Sequence, residues 1–144
     1  MPTQKPRRRI EGITVGSFVV VRFPQMNAES SKYRPALVVA EGPDVDSIGQ
    51  RWILVCAVTS SPRRTLEPGS SDIPIVDFAA QGLDKESVVQ SQKVFTTQTQ
   101  FVVKNLSKAP AELVEHAQRA LRQMLSAERE PQPRVIRVKP TSAE

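Results

Sequence analysis

The chain has 144 residues, 39% hydrophobic and 24% charged, with a net charge of +5. That is the length of one domain, able to bury roughly 65–70% of the surface it would expose unfolded, and the excess of lysine and arginine favours nucleic acid, an anionic membrane surface or an acidic protein segment as partner. A single cysteine, Cys56, excludes an internal disulfide framework and points to a cytosolic setting, and no apolar stretch is long enough for a membrane span.

Residues 1–11 carry Pro2, Pro6 and the cluster Arg7-Arg8-Arg9, with little that is apolar to bury. They read as a flexible basic tail, and with no hydrophobic region behind them they are not a secretory signal. Ser17–Phe23 (SFVVVRF), set between Gly16 and Pro24, is the first predicted strand, and the polar residues Gln25–Lys32 form a loop. A second strand covers Pro35–Glu41 and is closed by Gly42-Pro43. The third, Arg51–Thr59 (RWILVCAVT), is apolar almost throughout and therefore central, and Ser60-Ser61-Pro62 mark its end. Asp72–Asp77 is a fourth strand that Pro74 demotes to an edge or a broken strand. Phe78–Gly82 forms a short helical turn, and Glu86–Phe95 and Phe101–Asn105 supply one or two further strands. So many short strands argue for a small barrel or a strongly curved sheet.

The last element is helical. Pro110 can sit at its start without losing a hydrogen bond, and Leu113, Ala117, Leu121, Met124 and Leu125 follow at helical spacing, with Arg119, Arg122 and Gln123 on the other side. This helix is expected to cover an open face of the sheet. Residues 128–144, with Pro131, Pro133 and Pro140, read as a second flexible tail, which leaves 12–127 as the folded domain.

Groups capable of chemistry are few. The only histidine, His116, lies on the helix among polar neighbours and reads as a surface residue. With one His and one Cys, a zinc site of standard ligand count would need carboxylates. Cys56 sits mid-strand as a small buried hydrophobe, and no glycine-rich phosphate loop is present. What remains is Arg34 and the hydroxyls of Thr59 and Ser60. A residue before proline is driven into an extended conformation, so Tyr33-Arg34-Pro35 is a stiff start to its strand. If the second and third strands are antiparallel neighbours, Arg34 and Thr59 meet at one rim of the sheet. The other reading pairs Arg34 with a surface carboxylate and leaves Thr59-Ser60 to cap a turn; spacing alone leaves both open.

The order RFP, polar loop, RPALVV, CAVTSS, GLDKESVV, KVFT and closing helix, over roughly residues 14–126, resembles the MazF/PemK toxins of bacterial toxin–antitoxin pairs. The resemblance implies a small SH3-like barrel with a C-terminal helix, assembled as a homodimer in the cytoplasm. It implies sequence-specific cleavage of single-stranded RNA, mRNA included, with no metal or other cofactor, and inhibition by an antitoxin that lays a flexible, acidic segment across the RNA groove. By it, Arg34 is the catalytic arginine and Thr59 the catalytic threonine. Arg22, Lys32, Tyr33 and Ser60 are the candidate substrate contacts: Tyr33 stacks on a base or lids the core, and Arg22 and Lys32 hold phosphates or are ordinary solvated charge. The chain departs from the family where Gln92 and Gln98 stand in place of carboxylates. A non-catalytic toxin on the same barrel, such as a gyrase poison of the CcdB type, and a plain RNA-binding barrel are the alternatives.

Overall fold

The computed structural model describes residues 10–23 and 32–126. The Arg7-Arg8-Arg9 cluster, residues 25–31 of the predicted loop and the tail 128–144 lie outside the described residues. Within them, strand β1 is Ser17–Phe23 and β3 is Arg51–Thr59, with the bounds read from sequence. Strand β2 is longer than expected, Lys32–Val45, and runs on through Gly42-Pro43. Beyond Leu37 its β1 partner has ended, so β2 is paired only with β3, and the ladder slips between Glu41 and Val45. Pro43 falls in that slip, where no donor is required of it.

After β3 the chain forms a short helix, α1, Pro62–Leu66, where the sequence signals only a strand end. Strand β4, Asp72–Pro74, is shorter than expected and lies at the sheet edge, as its proline requires. The turn at 78–82 forms: the Leu83 N–H donates to the Phe78 carbonyl at 2.9 Å, and Gly82 takes φ +80°, a left-handed value that a side chain disfavours. Strand β5, Val88–Gln98, follows, then a single 3-10 turn and β6, Val102–Lys108. The strands make one antiparallel sheet in the order β4-β5-β3-β2-β1-β6, with β3 near its middle. Edge strands β4 and β6 do not pair with each other. The turn at 78–82 bridges toward β6 instead, where the Ser107 hydroxyl donates to the Gln81 carbonyl at 2.9 Å.

Because side chains alternate across a strand, the apolar runs bury both faces. On one side Phe18, Leu37, Val39, Cys56 and Val89 pack together; on the other Val19, Val21, Ala36, Val38, Ile53 and Val55 do. Helix α2, Ala111–Leu125, covers the first face. Gly16 leaves space for Val114, whose Cγ2 would stand 3.4 Å from any β-carbon there, and the Gln118 amide donates to the Val39 carbonyl at 2.9 Å. The buried stripe is centred on Val114 and Ala117, with Leu113 and Leu121 alongside. Met124 and Leu125, expected on that stripe, are exposed, Leu125 by 76%.

Candidate functional site

Strands β2 and β3 run antiparallel, with Ala36 opposite Ala57. Carrying that register two residues further puts Arg34 across from Thr59, and β5 lies on the other side, with Val88 opposite Thr59. Neighbouring strands are about 4.8 Å apart, so this rim spans roughly 10 Å. A cleft of about 470 Å³ opens there, with Arg34, Thr59, Ser60, Ser61, Asp84 and Lys85 in its wall. Among the described residues no carboxylate lies within ion-pair distance of Arg34; the two ion pairs are Arg51–Glu41 and Arg64–Asp72. Within the described residues the guanidinium therefore keeps its donors for another partner.

Thr59 is placed by the strand end and held by its neighbour. Its Oγ1 accepts the Ser61 backbone N–H at 3.2 Å. One lone pair is then occupied and the rotor is oriented, while its own hydrogen remains available to donate. Pro35, beside Arg34 in the same wall, fixes the backbone from which the guanidinium projects.

The other predicted contacts are arranged differently. Arg22 stands opposite Tyr33 in the β1–β2 register, and Phe23 opposite Lys32. Alternation therefore sends Arg22 and Tyr33 to the sheet face opposite that of Arg34. Tyr33 is 58% exposed, so it is not a lid on the core. Lys32, exposed, shares Arg34's face but does not line the cleft. Of the six, the fold gathers Arg34, Thr59 and Ser60.

Asp84 and Lys85 line the same cleft, which the sequence does not signal. Both lie in the GLDKESVV stretch, a polar run between Gly82 and a strand, so a loop was legible there. Its place in the cleft follows from β5 pairing with β3, a contact between distant parts of the chain. The loop is held by the Ser87 hydroxyl, which donates to the Lys85 carbonyl at 2.8 Å, and by the Ile75 N–H donating to the Ser87 carbonyl at 3.1 Å.

A larger cavity, about 820 Å³, lies at the other end of β3, between residues 10–14 and the β2–β3 turn. The cation in its wall is Arg51, which is already engaged by Glu41 at 3.3 Å and by the Ile13 carbonyl at 2.6 Å. Among the described residues no three His, Cys, Asp or Glu side chains gather as a metal-binding group, and no helix is long and apolar enough to cross a membrane. Burial pushes the Cys56 thiol up to about 11, which keeps it protonated and unreactive at neutral pH.

The family profile described as "PemK-like, MazF-like toxin of type II toxin-antitoxin system" matches residues 14–125. The fold is similar to that of MazF in a crystal structure of MazE–MazF from Deinococcus radiodurans, with TM-score 0.57, 19% identity, 77% of this chain and 93% of that one covered. It is also similar to the Mycobacterium tuberculosis toxin MazF-mt6, with TM-score 0.55, 15% identity, 76% of this chain and 95% of that one covered. At such identities the structural likeness speaks for the fold. No curated protein sequence matches.

Proposed function

This chain belongs to the PemK-like, MazF-like toxin family of type II toxin–antitoxin systems, and on that premise we propose that it is an endoribonuclease that cuts single-stranded RNA, mRNA included, at a preferred sequence and needs no metal. The observation that carries the reading is the cleft in which Arg34, with no ion-pair partner among the described residues, shares a wall with Thr59.

In this chemistry the ribose 2′-oxygen bonds to the adjacent phosphorus and the bond to the 5′-oxygen breaks. The 2′-hydroxyl loses its proton and the departing 5′-oxygen gains one, leaving a 2′,3′-cyclic phosphate and a 5′-hydroxyl. Negative charge builds on the phosphoryl oxygens in between. A guanidinium offers them several N–H donors in a rigid fork, and the Thr59 hydroxyl adds one more. Arginine stays protonated at neutral pH and makes a poor base; Asp84 is the carboxylate that the cleft wall offers to receive the 2′ proton. DNA, lacking the 2′-hydroxyl, has no internal nucleophile.

Around this centre, Ser60 and, outside the cleft, Arg22, Lys32 and Tyr33 are proposed to meet the substrate. Residues 12–127 act as the toxin domain between tails 1–11 and 128–144, working in the cytoplasm as a homodimer. The likeness to MazF in MazE–MazF crystals supports an antitoxin partner. The test is incubation of the purified, antitoxin-free protein with single-stranded RNAs in EDTA. Expected are fragments ending in 2′,3′-cyclic phosphate and no cleavage of DNA of the same sequence. Intact RNA after prolonged incubation with folded protein overturns the assignment.

A further inference from the structure

A second cleft, about 420 Å³, lies between α2 and the β4–β5 edge. Its wall includes Ser70, Ser71, Gln92, His116, Arg119 and Gln123, and no lining residue is a carboxylate. Arg119 follows His116 by three positions, so the two share one side of the helix, and neither has an ion-pair partner among the described residues. The carboxylate next to Ser71 does not compete for them. Asp72 is buried, with its Oδ2 held by the Gly69 N–H at 2.8 Å and by Arg64 at 3.3 Å. Amide and hydroxyl donors beside an exposed, unpaired guanidinium, with no negative charge in the wall, suit an anion.

The two clefts are linked through the chain. Ser60 and Ser61 stand in the first and Ser70 and Ser71 in the second, so one connection, carrying α1, runs between them. On α1, Arg63 is exposed and without an ion-pair partner among the described residues. The chain leads the same way through the start of β5, from Ser87 at the first cleft to Gln92 at the second. Five residues of strand cover about 17 Å, a few nucleotides of extended single strand.

We propose that this second cleft binds a backbone phosphate of the RNA strand that leaves the Arg34–Thr59 cleft, with Arg119 and His116 as its cations and Arg63 along the path. The choice of RNA as ligand rests on the nuclease reading; the anion site rests on the cleft itself. Gln92 contributes an N–H donor and no charge, so a carboxylate at that position repels the phosphate.

The test uses the full chain carrying Arg34→Ala, so that RNA survives, and follows binding of labelled single-stranded RNA by fluorescence anisotropy across salt. A dinucleotide stays within the first cleft; an oligonucleotide of about twelve nucleotides reaches both. Arg119→Ala and, separately, Gln92→Glu are expected to weaken the longer RNA about 5–10-fold and to lower its salt slope by roughly 0.7–1, the share of one phosphate contact. The shorter RNA should be unaffected. Equal affinity and equal slope for the longer RNA overturn the proposal. So does a loss seen only with a glutamate-rich peptide, which makes the cleft a site for acidic protein. Cleavage by the unmutated protein is scored apart: an Arg119-dependent slope with RNA left intact in EDTA refutes the nuclease and keeps the site, and the reverse pattern refutes the site alone.

Discussion

Replacing Arg34 by alanine should abolish most cleavage and leave the fold intact. Arg34 is only partly buried and makes no ion pair with a described residue, so its removal strands no charge. Substitutions of that kind stay within about 0.5 kcal/mol in stability. On the rate, loss of one preorganised donor costs about 10²–10³, or about 2.7–4 kcal/mol at 1.36 kcal/mol per decade. Alanine removes the whole fork, so a loss of about 10³ or more is expected. Lysine keeps the charge without the fork and should recover only part of it. Thr59→Val removes the hydroxyl at nearly constant shape and should cost about 10²-fold, whereas Thr59→Ser keeps most of the activity. If both groups steady the same phosphoryl oxygens, the double variant loses less than the product of the two single losses. The assay is single-turnover cleavage of a labelled RNA in EDTA, with circular dichroism and urea unfolding to certify the fold. Arg34→Ala cleaving within about tenfold of the parent rate, while folded, refutes the reasoning.

Two further outcomes follow from the geometry. Gly82→Ala places a β-carbon at φ +80° and 3.3 Å from Leu106 Cβ, which should cost about 1–2 kcal/mol in urea unfolding. Because residues 83–87 lie in or beside the cleft wall, cleavage should fall as well; a variant with full stability contradicts the strained turn. The Cys56 thiol is raised by burial from 9.0 to about 11. The unfolded chain therefore gives up this proton first, and the thiol's contribution is intact below pH 9.0 and declines as pH rises toward about 11. Cys56→Val should show a shallower alkaline loss of stability than the parent in urea titrations, and a loss of equal steepness contradicts the burial argument.

Local rules were enough for much of this molecule. The β-branched and aromatic runs at 17–23 and 51–59 specify strands, because their side chains fill a pleat and glycine, proline and serine stop the ladder on either side. Pro35 makes the approach of Arg34 extended, Pro74 keeps β4 at an edge, and the spacing of Leu113, Ala117 and Leu121 makes a helix. The likeness to MazF/PemK toxins, and with it the pairing of Arg34 and Thr59, was legible in the order of short motifs.

Tertiary structure decided what depends on residues far apart in the chain. Strand β2 outruns Gly42-Pro43 because β3 continues to pair with it after β1 has stopped. Val114 is buried and Leu125 exposed because the helix docks over Gly16 and Val39. Asp84 and Lys85 join the cleft only when β5 pairs with β3, and His116, exposed as its polar neighbours suggest, lines a carboxylate-free cleft with Arg119 and the β4–β5 edge. Propensity acts over a few residues, whereas a cleft is a meeting of strand ends and helix faces whose positions the packed sheet alone determines.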